Sequence, residues 1–277
     1  MMCCIGTFLS INIQAQEKGH YLFFSAGMGP EAIKCQMKNG NEVEDVGYTL
    51  TAGYDYFFCQ NWGVETGLGI QTFRTQMTLS DMAGYPAIDK SGATYEYRNY
   101  FNGWQEKQNV TLLSVPVGIR CLFPFYDHLG VTASTGLKLL LPFSTMYTIT
   151  DGSITTTGYY NSTSVELINQ PQNGFTTINQ GPSGKISLGL SYACYADIGI
   201  VCQLTPIVSM NVSTYLDYGP SNWISSSTKP VYQVDGTYNG IMHSDRIKSS
   251  HFLNYGVKFG LSWYLGDRFY RCHCTRD

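Results

Sequence analysis

Five ionisable residues stand apart in this chain: Asp55, Glu65, Arg120, Asp197 and Lys258. Each interrupts a stretch of alternating apolar and small residues. Charges in such surroundings either pair or relay protons. Buried ions need partners in any case, so an ion-pair network is favoured over a proton or ion path. A second group is His243-Ser244-Asp245 with Ser250 and His251. It holds the residue types for acyl transfer, but their spacing fits no nucleophile motif. Cys272-His273-Cys274 is a lone C-x-C without the second pair that a zinc site needs, and no glycine loop for phosphate is present. The reading assigns no catalytic residue, cofactor or metal site, and the chain is taken as non-enzymatic. Tyr95, Tyr97, Tyr100, Phe101 and Trp104 form an aromatic group within one long connection. They are a candidate surface-binding loop, or else packing over whatever lies beneath.

The background that carries these residues is unusual. Only 13% of the 277 residues are charged, against about 25% in an ordinary soluble domain. The apolar fraction is an ordinary 43%, and the difference is filled by 29 Gly, 21 Tyr, 14 Phe and many hydroxyl residues. That is too aromatic for disorder. A net charge of −3 leaves no basic footprint for nucleic acid. Beyond the N-terminus no uncharged apolar run reaches the roughly 18 residues of a spanning helix. Gly, Thr and aromatics favour strands. Ile5–Ile13 followed by Gln14-Ala15-Gln16 reads as a secretory signal over residues 1–16. No cation precedes it, which suggests a true start further upstream. Nine cysteines are scattered, two of them within the signal, so the spacing is not that of a disulfide framework.

Eight period-2 segments follow: His20–Met28, Gly47–Phe57, Trp62–Thr75, Val110–Phe123, Leu129–Ile149, Gly184–Asp197, Cys202–Asp217 and His251–Tyr264. Short connections at Phe58–Asn61, Pro124–His128 and Ile198–Val201 alternate with long ones at 29–46, 76–109, 150–183 and 218–250. Soluble domains rarely carry several structureless loops this long. Transmembrane barrels do, with short periplasmic turns and long extracellular loops. The expected fold is all-β: an eight-stranded antiparallel up-and-down transmembrane β-barrel over residues 17–265, with a tail at 266–277. Only a closed barrel satisfies every strand edge in lipid.

Parity sorts the faces. Leu113, Val115, Val117, Ile119, Cys121 and Phe123 oppose Ser114, Pro116, Gly118 and Arg120. Ile186, Leu188, Leu190, Tyr192 and Cys194 oppose Lys185, Ser187, Gly189, Ser191 and Asp197. Asp55, Glu65, Arg120, Lys138, Lys185, Asp197 and Lys258 all fall on the small or polar face, and Arg74 alone does not. The five singled out above lie nearest the short turns and are expected to form one network there. Tyr54, Tyr56, Trp62, Phe123, Phe125 and Trp263 mark the interface at that end. Pro116, Pro142 and Pro206 predict bulges, because proline removes a ladder donor.

Three stretches resemble the PorT-like outer-membrane β-barrel proteins of Gram-negative bacteria. They are Asn61-Trp62-Gly63-Val64-Glu65-Thr66-Gly67-Leu68, Leu113-Ser114-Val115-Pro116-Val117-Gly118-Ile119-Arg120, and Gly256-Val257-Lys258-Phe259-Gly260-Leu261-Ser262-Trp263-Tyr264. The resemblance covers residues 20–265. It implies the outer-membrane barrel fold and the bacterial outer membrane as location. The functional expectation is a structural or surface-interaction role through the extracellular loops. Its partners would be outer-membrane lipid, the assembly machinery and an extracellular ligand or protein. The alternatives are narrow-lumen transport of a small or apolar solute, and an envelope-lipid-modifying enzyme.

Overall fold

The computed structural model describes residues 18–126, 128–224 and 227–266. The signal stretch at 1–16, nearly all of the tail, and Cys272–Cys274 lie outside the described residues.

Alternation along the chain produces long strands in order. They are β1 (Gly19–Met37), β2 (Gly40–Glu44), β3 (Val46–Phe57), β4 (Trp62–Leu79), β5 (Met82–Ile88), β6 (Thr94–Tyr126) and β7 (Leu129–Tyr160). There follow the short β8 (Val165–Leu167), β9 (Thr177–Ile178) and β10 (Gly184–Lys185), then β11 (Ser191–Gln203), β12 (Val208–Gly219) and β13 (Ile247–Tyr264).

Eight of these form one closed wall. β1 pairs with β3, β3 with β4, β4 with β6, and β6 with β7. β7 pairs with β11, β11 with β12, β12 with β13, and β13 returns to β1. Every pairing is antiparallel, so the barrel is an up-and-down ring of eight strands, as the segment pattern predicts. Three short connections, between β3 and β4, β6 and β7, and β11 and β12, lie at the same end as the start of β1 and the end of β13.

Parity decides what faces out. Along β12, Ser213, Tyr215 and Asp217 are buried, while Val212, Leu216 and Tyr218 are exposed. Outward apolar residues stay bare around the ring: Leu68 is 61% exposed and Phe259 59%. Monomers in water rarely leave so continuous an apolar surface open. Aromatics border it. Tyr56, Trp62, Phe123, Phe125 and Trp263 stand exposed near the turns, and Tyr48, Tyr192, Tyr218 and Tyr255 nearer the other end. From Tyr48 to Tyr56 the strand runs about 26 Å, or roughly 20 Å of height at a tilt of about 40°.

Several expectations need correction. The third turn is at 204–207, not Ile198–Val201. Ile198 and Ile200 continue β11 with their side chains outward, and Thr205 Oγ1 caps the true turn by accepting from the Val208 amide at 3.0 Å. Pro206 therefore sits in a turn rather than a strand. Pro142 does mark a bulge, since the β6–β7 register shifts where Leu112 meets it. At Pro116 the β4–β6 ladder skips from Thr66–Val117 to Gly69–Ser114. Lys185 does not face the lumen. Residues 186–190 leave the ladder, which breaks the phase. Lys185 then lies exposed opposite outward Met146, and Ile186 turns into the core.

The long connections are not loose loops. β4, β6 and β7 run far beyond the apolar band, and β2, β5, β8 and β9 add to them. The tall β6–β7 hairpin bends where its register shifts beside Gly103 and Gly152. Both glycines have positive φ, +58° and +89°, and a Cβ on Gly152 would run into the Gly103 carbonyl. The result is a folded cap. β5 is its margin: among the described residues it pairs with β6 alone and has no strand on its other side. The Phe101 amide donates to Asp81 O and the Asp89 amide to Ala93 O. Alternation then turns the nitrogen of Pro86 toward the open side.

Candidate functional site

The lumen is filled from the turn end upward. Tyr21, Phe57 and Leu122 form an apolar floor, with Tyr264 and Val201 against them. Above it, Arg120 reaches across from β6. Its Nη1 donates to Asp55 Oδ2 at 2.5 Å, and Glu65 Oε2 lies 3.8 Å away. Glu65 Oε1 accepts from the Tyr195 hydroxyl at 2.5 Å. Beside this set, Lys258 Nζ donates to Asp197 Oδ2 at 2.5 Å, and Ser134 Oγ donates to the same oxygen at 3.4 Å. Thus the five sequence-selected ions resolve into a triad and a pair. Glu65, Arg120, Asp197 and Lys258 line one cavity of about 40 Å³, and Asp55 and Arg120 line a second of about 10 Å³ below it. Spaces of that size hold one or two water molecules.

A second tier lies above, and the sequence reading missed most of it. Lys138 Nζ donates to Asp217 Oδ1 at 2.6 Å, and Gln71 Nε2 donates to Asp217 Oδ2 at 2.9 Å. The Tyr215 hydroxyl donates to Glu31 Oε1 at 2.7 Å. The signal for Asp217 was its parity with Ser213 and Tyr215. Glu31 gave none, because it lies past the point where β1 was expected to end.

The aromatic group requires a correction. Tyr95, Tyr97, Phe101 and Trp104 are buried. They do not form an open binding loop, because β6 extends through them with their side chains turned inward. Tyr100, facing the other way, donates to Glu166 Oε1 at 2.9 Å. Trp104 and Phe101 join a cap core with Phe73, Tyr147, Trp223 and Phe252. Tyr95 and Tyr97 pack with Phe175 in a separate cluster. The segment between β12 and β13 folds down into this core through Trp223, Ile224, Val231, Ile241 and Met242. At its centre lies Glu106, wholly buried. It accepts from the Tyr238 hydroxyl at 2.6 Å, the Ile241 amide at 2.9 Å and Gln108 Nε2 at 3.0 Å. Burial pushes its carboxyl above the ordinary range, although these three donors pull the other way.

No protein-family model matches the chain, and no curated protein matches it. Solved structures do. The chain is similar to outer membrane protein OprG from Pseudomonas aeruginosa, at 13% identity and a TM-score of 0.40, over 91% of this chain and 100% of that one. It is similar to Neisserial surface protein A at 8% identity and a TM-score of 0.38, over 89% and 97%. A third likeness is to Ail, the attachment invasion locus protein of Yersinia pestis, in complex with the heparin analogue sucrose octasulfate. There the identity is 10% and the TM-score 0.32, over 89% and 98%. The fold itself rests on the closed register of this chain's own strands.

The acyl-transfer residues are engaged otherwise. Ser244 Oγ donates to Ile241 O at 2.7 Å, and Ser250 Oγ donates to Asn222 Oδ1 at 3.0 Å. His243 Nε2 accepts from the Ser187 amide at 3.0 Å. Asp245 Oδ1 accepts from the Tyr85 hydroxyl at 3.3 Å. These hydroxyls hold the backbone of the cap rather than face a base. Among the described residues no cluster of metal-ligating side chains occurs, and Cys35, Cys59, Cys121, Cys194 and Cys202 are free thiols. A recess of about 350 Å³, lined by Tyr85, Pro86, Tyr95, Glu96 and Asn161, opens on the outside of the cap.

Proposed function

We propose that this chain is a non-enzymatic bacterial outer-membrane barrel that holds a folded cap at the cell surface for structural or interaction duty. One observation carries the reading: a closed ring whose outward side chains are bare and apolar between two aromatic rims. Such a wall is stable only where lipid covers it. The short turns then lie on the periplasmic side and the cap outside. The cap recess is where an extracellular ligand would meet the protein. The PorT-like reading is supported by the placement of its motifs, which put Arg120 and Lys258 in the lumen and Trp263 on the lipid rim. The exposed aromatics of β13 suit recognition by the assembly machinery.

Transport is the weaker reading, because two tiers of ion pairs and small cavities occupy the lumen. The test is fractionation followed by protease treatment of intact cells. The expected result is recovery in the outer membrane, with cleavage confined to the cap. Recovery in the soluble fraction would refute the proposal.

A further inference from the structure

The upper tier of the lumen holds a polar rung that its own hydrogen bonds do not satisfy. Glu31 of β1 pairs with Asn254 of β13, and Asn254 pairs with Asp217 of β12. Neighbours along this rung therefore have their Cβ atoms roughly 5 Å apart. Gln71 joins it from β4 through its bond to Asp217 Oδ2, and Lys138 joins it from β7 through Asp217 Oδ1. Glu31, Gln71, Asp217 and Asn254 are wholly buried. Yet Glu31 Oε2, Gln71 Oε1 and both amide atoms of Asn254 have no hydrogen-bond partner among the described residues. Buried polar atoms are nearly always paired, so four in one cluster point to a group that meets them.

Charge and enclosure say what that group is. The rung carries two carboxylates against one cation, Lys138, so one negative charge is left over. Buried charges are paired or hold a metal ion. Two positions further up their strands, Ile33, Phe73 and Phe252 close the cap side, each 1% exposed, with the two rings 4.8 Å apart. On the other side, Lys138 also borders the cavity of about 40 Å³, so the polar side of the rung faces down the lumen. A water donates only two hydrogens, too few for three bare oxygens, and leaves the charge in place. A proton on Glu31 removes the charge but bridges two of the oxygens at most. A monovalent cation meets all three oxygens and the charge together, and a water of its shell accepts from Asn254 Nδ2. A divalent ion would overshoot the charge. One carboxylate and two amide oxygens suit a hard cation, unlike the His, Cys and acid groupings of a transition-metal site.

We propose that Glu31, Gln71 and Asn254 hold one monovalent cation of the sodium class inside the upper barrel. The site depends on the closed ring of strands and goes beyond the surface role proposed above. Its test uses the full chain refolded in a nonionic detergent, with sodium chloride exchanged for choline chloride at constant ionic strength. The unfolding constant in urea is followed as sodium rises. Once the site fills, that constant should fall about tenfold for each tenfold rise in sodium, the slope of one bound ion. Glu31→Gln removes the charge and should abolish the dependence. Asn254→Leu keeps the size of the side chain and should push the dependence to higher sodium. Glu106→Gln alters a buried carboxylate that has three donors of its own, and it should respond as the wild type does. A wild type indifferent to sodium overturns the site and leaves the rung to water or a proton. A Glu31→Gln variant that keeps the full slope overturns it as well. Stabilisation by calcium at far lower concentration than by sodium overturns the monovalent assignment.

Discussion

Arg120 answers two carboxylates, Asp55 and Glu65. Removing it leaves both buried without their cation. Arg120→Met should therefore cost about 3–5 kcal/mol, read by urea unfolding in vesicles. Adding Asp55→Asn and Glu65→Gln should recover most of the loss. A triple variant as weak as the single one would show that packing, not pairing, is at stake. Glu106 makes a different prediction. Burial raises its carboxyl above the ordinary value of 4.5, so the folded cap binds that proton more readily than the unfolded chain does. Its contribution is full below pH 4.5 and is lost as pH rises through the interval up to the raised value. Glu42 is shifted the same way, also by burial. Asp89 has the opposite sign: Ser91 and the Ala93 amide hold it down to about 2, so its support fades only below its ordinary value of 3.8. Hydrogen exchange in the cap core, followed against pH, should show protection falling above pH 4.5. Glu106→Gln should flatten that slope, and an unchanged slope would refute the assignment.

Which elements build the wall was legible because lipid imposes a period of two on each spanning strand. It was clearest in the stretches around Leu113–Arg120 and Gly256–Tyr264, where outer and inner faces differ completely. The cap was not legible. Its strands keep alternating in burial, but polar Thr75, Asn99, Glu106 and Gln108 fill inward positions there, so the letters do not alternate, and its core joins residues as distant as Ile33 and Met242. The flip at Lys185 was hidden for a related reason. Residues 186–190 keep the alternating letters but leave the ladder, so parity counted across them misleads. The inner ions nearest the turns could be found from pattern, and so could Asp217 from its parity with Ser213 and Tyr215, whereas Glu31 needed the register. Between β12 and β13, Trp223, Ile224, Val231, Ile241 and Met242 pack into the cap core, which makes residues 220–246 the segment to remove. Replacing it with a short Gly-Ser linker should leave β12 and β13 paired and the barrel folded, while the cap becomes protease-sensitive. Heat-modifiable gel mobility with limited proteolysis reads both. Within the cap, Trp104→Ala should cost about 3–5 kcal/mol of local stability, and a loss below about 1 kcal/mol would mean that the cap does not depend on this core.

At the scale of the molecule, the barrel is a post rather than a pipe. Planar bilayers holding the wild type should carry no sustained single-channel current. The variant lacking 220–246 should be equally silent, because the Arg120 and Lys138 tiers still fill the lumen. Steady conductance in either would restore the transport reading. A post invites crowding, and the margin of the cap has an answer to it. Among the described residues no strand lies on the far side of β5, and Pro86 turns toward that side a nitrogen that carries no hydrogen. A neighbour sliding up to continue the sheet would find one rung missing in the middle of a seven-residue strand. Molecules packed shoulder to shoulder thus stay individuals: the same surface can be dense with them without zipping into fibres.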